Sequence, residues 1–348
     1  MPREKIVPSS TSNFDPLDRA PKSRWWLLPI FVVALVALVT AGEFFWRSHG
    51  WQPSVRDTKA LWSLHRRVSR QPANKLILAG SSRILLGLSH RVIDEAWHVP
   101  IANLAVDGNC PLAVIEDLAS DEHVHQGDVI LLSTRMACLR RSALADAADV
   151  VAYEHNLPTA APLLDEWLAA RLESVLVARH PHIGLRRLAY VPFRPQLRDD
   201  DWVVDTFVTR EITAFYERID IAAYRANRLA RDGAIAPITD DDIAEGKLRL
   251  AKALGKLAAR GVRVALIRMP VDDDHWAIDE KIAPRQRYWD PIASRVEAVP
   301  IHFRDHKEMQ GYRLPDSSHL DHAERDAFTK AFVGLLEQKG LRVNAARN

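Results

Sequence analysis

Excess charge of either sign is missing from this chain. Its 348 residues hold 47 Lys and Arg against 45 Asp and Glu, a formal net charge of +2. Nucleic-acid binding needs a concentrated basic face, and this balance supplies none. Cysteine is almost absent: Cys110 and Cys138 are the only two. In an oxidising compartment such a pair is compatible with one disulfide, and otherwise with two buried thiols. No internal repeat is visible, and the 14 histidines are scattered.

Long apolar runs are also lacking, with one exception. Trp25 to Gly42 carries no charge, and Phe44, Phe45 and Trp46 extend the run past Glu43. This is about the minimum length for a bilayer-crossing helix. Trp25, Trp26 and Trp46 stand at its ends, where amphipathic rings favour the interface. Val39-Thr40-Ala41 could serve as a signal-peptide cleavage site, but the polar lead is long and the apolar run exceeds a signal core. A retained anchor over residues 25–46 is the expectation. Arg3, Lys5, Arg19, Lys22 and Arg24 precede the span and Arg47 alone follows closely. The positive-inside rule then keeps residues 1–24 in the cytoplasm as a disordered tail and puts residues 47–348 outside, in a periplasm where one exists. Residues 47–73 read as a stalk, with a helix around Thr58–Val68.

Beyond the stalk, short apolar runs alternate with helical patterns. Lys75–Ala79, Pro100–Ala105, Asp128–Ser133, Gly261–Met269 and Val299–Phe303 read as buried parallel strands. Ile84–Trp97, Leu112–His123, Asp241–Arg260, Pro284–Glu297 and Asp321–Gln338 read as helices. The alternation predicts an α/β fold, a three-layer sandwich around a five-stranded parallel sheet, over residues 74–348. The stretch at about 140–240 breaks the rhythm and reads as an insertion over the active face, with helices over Asp165–Ala178 and Val208–Asp232.

Three stretches carry chemistry. Gly80-Ser81-Ser82 sits at the carboxyl end of the first strand, where a serine hydroxyl and its own N–H are exposed; viewed alone it is ordinary turn chemistry. Asn103 to Gly108 follows the second strand, and Gly108 lets its backbone approach a substrate oxygen. Asp316 and His319 are spaced to lie on one turn, so the carboxylate can fix one imidazole nitrogen and leave the other free. Helix capping by Ser317, Ser318 or Asp321 is the plainer account of that turn. Elsewhere, His302, Asp305 and His306 have a metal-like spacing but begin on a strand, which argues against a metal site. Asp272-Asp273-Asp274-His275 reads as a solvated loop. Arg140, Arg141, Arg186, Arg187 and Arg194 could line an anionic glycan groove, although an exposed charged face is the simpler reading.

Taken together the three stretches resemble the SGNH, or GDSL-like, hydrolase superfamily over roughly residues 74–135 and 245–340. The resemblance implies Ser82 as nucleophile, His319 as base and Asp316 as its orienting acid, with Ser82 and Gly108 N–H groups holding an oxyanion. Such chemistry needs no cofactor and no metal. One block departs: where the superfamily has Gly-x-Asn, this chain has Ser133-Thr134-Arg135. Arg135 by its charge or Thr134 by its hydroxyl could replace the missing Asn; losing an oxyanion donor outright costs about a hundred- to thousand-fold in turnover. The tethered layout is similar to the D-alanyl-lipoteichoic acid protein and to alginate O-acetylation proteins. That similarity implies a membrane-anchored serine esterase or O-acyltransferase acting on cell-envelope glycans beside a membrane-bound O-acyltransferase. The alternative is a non-catalytic glycan-binding or scaffold component of an envelope acylation complex.

Overall fold

The computed structural model describes residues 25–157, 159–183 and 204–344. Helix α1 (Leu27–Ser48) is long and apolar enough to cross a membrane, and most of its length is exposed on every side. Helix α2 (Lys59–Val68) follows. Strands β1 (Leu76–Ala79), β2 (Ile101–Asn103) and β3 (Val129–Ser133) are separated by α3 (Ser82–Gly87), α4 (His90–Trp97) and α5 (Leu112–Ser120). Helices α6 (Ala148–His155) and α7 (Ala161–Glu173) open the insertion. A two-stranded antiparallel hairpin, β4 (Val204–Thr206) and β5 (Ile212–Ala214), and α8 (Ile221–Gly233) continue it. Then come α9 (Asp240–Ala259), β6 (Arg263–Arg268), α10 (Asp273–Ile282), α11 (Arg285–Ala293), β7 (Val299–His302) and α12 (Arg325–Gln338).

The five-stranded sheet is wholly parallel, in the order β2-β1-β3-β6-β7. Ile77, Ile130, Val264 and Leu266 point to one face, against α5, α9 and α11. Leu76, Leu78, Leu131 and Ile267 point to the other, against α3, α4 and α12. Both faces are covered, which is why these strands read as unbroken apolar runs. The chain moves outward in opposite directions from β1 and β3, so the loops leaving their carboxyl ends part and open a crevice. Gly80 is required there. A Cβ on it would lie 2.8 Å from Ile84 Cγ1 and 3.1 Å from the Ser133 carbonyl oxygen.

Several expectations need correction. Residues 47–73 are no simple stalk. Val55 N–H donates to the Thr206 carbonyl, Trp62 and Arg66 are buried, and Arg66 pairs with Asp117 at 2.7 Å and Asp121 at 2.8 Å. The helix expected over Ile84–Trp97 begins at Ser82 and breaks at Leu88, where Ser89 caps a new one. The helix expected over Val208–Asp232 is half hairpin: Ile212-Thr213-Ala214 pairs as a strand, and α8 starts only after Asp220 caps Ala222 and Ala223. Asp272-Asp273-Asp274-His275 is not a solvated loop but the cap and acidic first turn of α10, and His275 is buried.

Candidate functional site

The crevice brings the three sequence stretches together. Ser82 is the first residue of α3, one step beyond the end of the β1 turn. Its Oγ lies 2.7 Å from His319 Nε2, and His319 Nδ1 lies 2.7 Å from Asp316 Oδ2. Asp316 builds the turn that carries it: Oδ1 accepts the N–H of Ser318 at 3.0 Å and of His319 at 2.8 Å. The same residue therefore shapes the loop and orients the imidazole. All four residues from Asp316 to His319 are buried.

Electrostatics match the geometry. Burial favours a neutral Asp316, but the charge and hydrogen bond of His319, then Arg228 and the Ser318 N–H, outweigh it and hold the carboxyl well below its usual range. His319 is pushed below the ordinary histidine value, first by burial and also by Arg228 and Arg83, against the pull of Asp316. It is therefore a neutral imidazole near pH 7, with Nδ1–H donated to Asp316 and Nε2 free to accept from Ser82. That is the protonation state a general base needs.

The cavity beside Ser82 measures about 340 Å³. Ser81, Gly108, Thr134, Arg135, Cys110 and Cys138 line it with Ser82, as do Arg83, Arg228, Arg231 and Asp232. Gly108 has φ +68° and open space where a Cβ would stand. Neither the Ser82 nor the Gly108 N–H meets an acceptor among the described residues. Thr134 turns its hydroxyl to the Arg135 carbonyl at 3.3 Å. The Arg135 guanidinium makes no hydrogen bond or close ion pair among the described residues, feels Asp279 only at longer range, and borders the cavity. Cys110 and Cys138 form a disulfide with Cα atoms 5.3 Å apart, joining the loop after β2 to the turn after β3. The bond braces the two walls that carry Gly108 and Arg135.

Other candidates lie elsewhere. Asn103 is buried away from the cavity; its carbonyl accepts from Arg210 at 2.7 Å and its amide meets Thr209, so it ties β2 to the insertion. His302 is buried, with Nδ1 accepting the Arg304 N–H at 3.2 Å, and burial pushes its pKa down to about 3. No group of three His, Cys, Asp or Glu side chains among the described residues is arranged to hold a metal. Arg140 donates to the Ala236 carbonyl and Arg141 is exposed, neither lining the cavity. Arg186, Arg187 and Arg194 lie outside the described residues.

Sequence reasoning missed the layer behind the Ser82–His319–Asp316 chain. Arg228 of α8 places Nη1 3.3 Å from Asp316 Oδ2. Tyr216 faces the same carboxylate, and burial with that charge raises its phenol's pKa. Arg83, beside Ser82, donates to His275 Nε2 at 3.0 Å, and His275 Nδ1 meets Ser317 Oγ at 3.2 Å. An arginine can only donate, so Nε2 accepts and the proton sits on Nδ1. Burial, then Arg83, lowers His275 to about 3 and keeps it neutral. Ser317 has φ +82°, a conformation costing a non-glycine residue roughly 1 kcal/mol. Its carbonyl accepts from Asp272 N–H at 3.0 Å. The turn that presents His319 is thus strained and pinned to α10 by two hydrogen bonds.

No protein-family model matches the chain, and no curated protein matches it in sequence.

Proposed function

We propose that this chain is an SGNH-type serine acyl-transfer enzyme, an esterase or O-acyltransferase, anchored by α1 with its α/β domain outside the cytoplasmic membrane. The unbroken line from Ser82 Oγ to His319 to Asp316, at 2.7 Å and 2.7 Å, carries the reading. Ser82 Oγ attacks an acyl carbonyl carbon while His319 Nε2 takes its proton. Negative charge moves to the carbonyl oxygen, where the Ser82 and Gly108 N–H groups receive it, and Arg135 adds a positive field in place of the missing Asn. The tetrahedral intermediate collapses, the leaving oxygen takes the proton from His319, and an acyl-serine remains. Water or a sugar hydroxyl then attacks that ester with His319 again as base, which restores Ser82.

The cavity's charge supports an anionic substrate. Arg83, Arg135, Arg228 and Arg231 border it against the single carboxylate of Asp232. Burial, then the charge of Arg268, holds Arg83 well below the ordinary arginine range, a penalty that an anion in the cavity would relieve. A cell-envelope glycan bearing carboxylate or phosphate fits these terms. The Cys110–Cys138 bond agrees with an oxidising compartment. A membrane-bound O-acyltransferase partner would supply the acyl group.

The test is covalent. The full chain, purified in detergent, is incubated with a fluorophosphonate probe and with an activated acyl ester. Expected are stoichiometric labelling at Ser82, a burst of product, and neither in Ser82→Ala. A folded protein with Ser82 unlabelled by both reagents would overturn the catalytic reading in favour of a glycan-binding or scaffold role.

A further inference from the structure

The outward face of helix α7 is unusually apolar. Its inward face, packed toward α2, carries Leu163, Glu166, Ala170 and Glu173. Glu173 is 3% exposed and is held by Arg56 at 2.7 Å. Its outward face carries Leu164, Trp167, Leu168 and Leu172, which are 60%, 47%, 49% and 49% exposed, and Val175 just beyond the helix continues the line at 58%. The positions recur at intervals of three and four, so they form one stripe. A helix facing water reverses this arrangement, with leucines inward and glutamates outward. A contiguous apolar stripe of this size marks a surface that is covered in use.

The position of α7 identifies what covers it. Arg47, in the last turn of α1, donates from Nη2 to the Val175 carbonyl at 2.8 Å. Glu43, one turn earlier, accepts the Ala178 N–H at 2.8 Å. The apolar stripe therefore begins where α1 meets the domain. Exposed Phe44 and Phe45 lie on that same end of α1, and Trp46 packs against Trp51. Aromatic rings at the end of a span mark the headgroup level. Arg171 sits over the Trp167 ring, 5.6 Å from its centre; it falls within the arc of the stripe, and its long stem lets the exposed guanidinium reach a lipid phosphate.

We infer that α7 lies in the headgroup–acyl boundary of the bilayer that α1 crosses, with Leu164, Trp167, Leu168 and Leu172 inserted among the lipids. The inference rests on the reading of α1 as a membrane anchor. Two attachments then fix the domain's tilt against the bilayer, where α1 alone would leave it free to swing.

Site-directed nitroxide labelling of the full chain tests this. Cys110 and Cys138 are the only cysteines and are bonded to each other, so an introduced cysteine is the sole free thiol. Leu164→Cys, Leu168→Cys and Leu172→Cys are labelled, with Asp165→Cys and Glu122→Cys as aqueous references and Val36→Cys as the reference within α1. Each is reconstituted into vesicles of phosphatidylethanolamine and phosphatidylglycerol. Collision with oxygen is compared with collision with a polar nickel chelate. The three α7 positions should shift toward oxygen and lose nickel collisions relative to Asp165→Cys and Glu122→Cys. If they collide with nickel like the aqueous references while Val36→Cys is lipid-shielded, the interfacial helix is wrong and the anchor stands; a protein partner as the stripe's cover would give this result. If Val36→Cys is also nickel-accessible, the anchor reading falls and the inference with it.

Discussion

The two ends of β1 and β3 treat positive charge in opposite ways. At the amino ends, Lys75 and Asp128 are fully buried and lie 2.9 Å apart. Lys75 Nζ also donates to the Gln71 carbonyl at 3.0 Å and the His123 carbonyl at 3.1 Å. Asp128 accepts the N–H of Lys75 and of His125. Every donor and acceptor is answered locally. At the carboxyl ends of the same strands, Arg83 hydrogen-bonds only an imidazole and Arg135 makes no side-chain hydrogen bond or close ion pair among the described residues, Asp279 acting on both at longer range. One end spends its charge on holding strands together. The other leaves its charge more weakly answered beside Ser82, a condition that costs stability and that the proposed anionic substrate would offset.

Mutation should separate the two ends cleanly. The largest effect belongs at the carboxyl end: Ser82→Ala or His319→Ala should each cut ester turnover by about 10⁴-fold or more, with little further loss in the double variant, because they act as a unit. Stopped-flow ester kinetics measure this, and Ser82→Ala should leave the unfolding midpoint unchanged. At the amino end the pattern reverses. Lys75→Met strands a buried carboxylate and should cost about 3–5 kcal/mol in urea unfolding, while turnover per folded molecule stays at the wild-type level. Adding Asp128→Leu should recover most of that loss. A large turnover defect in folded Lys75→Met would show that the ends are not independent.

The disulfide lies between these cases, since it belongs to the carboxyl end yet acts on the whole fold. Replacing Cys110 and Cys138 with Ser should lower stability by about 3–4 kcal/mol on the chain-entropy account of a loop this long. The variant should also lose turnover, through looser placement of Gly108 and Arg135. Wild-type turnover in the folded double variant would refute the bracing role.

The smallest expected effect concerns pH. On the proposed mechanism His319 serves as a base only when unprotonated, and its pKa lies below the ordinary value of 6.5, so activity should persist below that pH and fall as the imidazole takes up a proton. Arg228 is one of the charges that lower it. Arg228→Ala should therefore raise the His319 pKa and move the acid limb of kcat/KM to higher pH, and Arg228→Lys should largely restore it. A limb that does not move would leave Arg228 with a purely structural role.

Much of this was legible in the chain because it is local. Five apolar runs became five parallel strands, since each is buried on both faces and no amphipathic pattern competes. Ser82, Asp316 and His319 stood out only through the resemblance their three motifs carry in combination, since each alone reads as turn chemistry or helix capping; the structure places the three side chains in one hydrogen-bonded line. What escaped reading depends on distance or on face. Arg228 is 88 residues from the carboxylate it touches, and nothing in its neighbours marks it. The start of α10 did carry a signal, an Asp cap with two acids in the first turn, but three consecutive carboxylates read more simply as a loop. The hairpin at β4–β5 was masked by the helical pattern that follows it. The stripe on α7 was passed over because its apolar residues have the spacing of a core helix, and only the fold reveals that they face outward.

The disulfide also sets an order of events during synthesis. A chain made from its amino end completes β1, β2, β3 and both cysteines before residue 139 exists. Those three strands are neighbours in the sheet, so the wall that holds Ser82 can be assembled and locked while the rest of the protein is still being made. Asp316 and His319 come 178 and 181 positions after Cys138. Over the next 178 positions, about half the chain, those walls stand without Arg228, Arg231 and Asp232 until α8 is made, and without Asp316 and His319 to the end of the interval. On the proposed mechanism Ser82 gains its base only near completion, and a product that stops short of residue 316 should be inert toward esters.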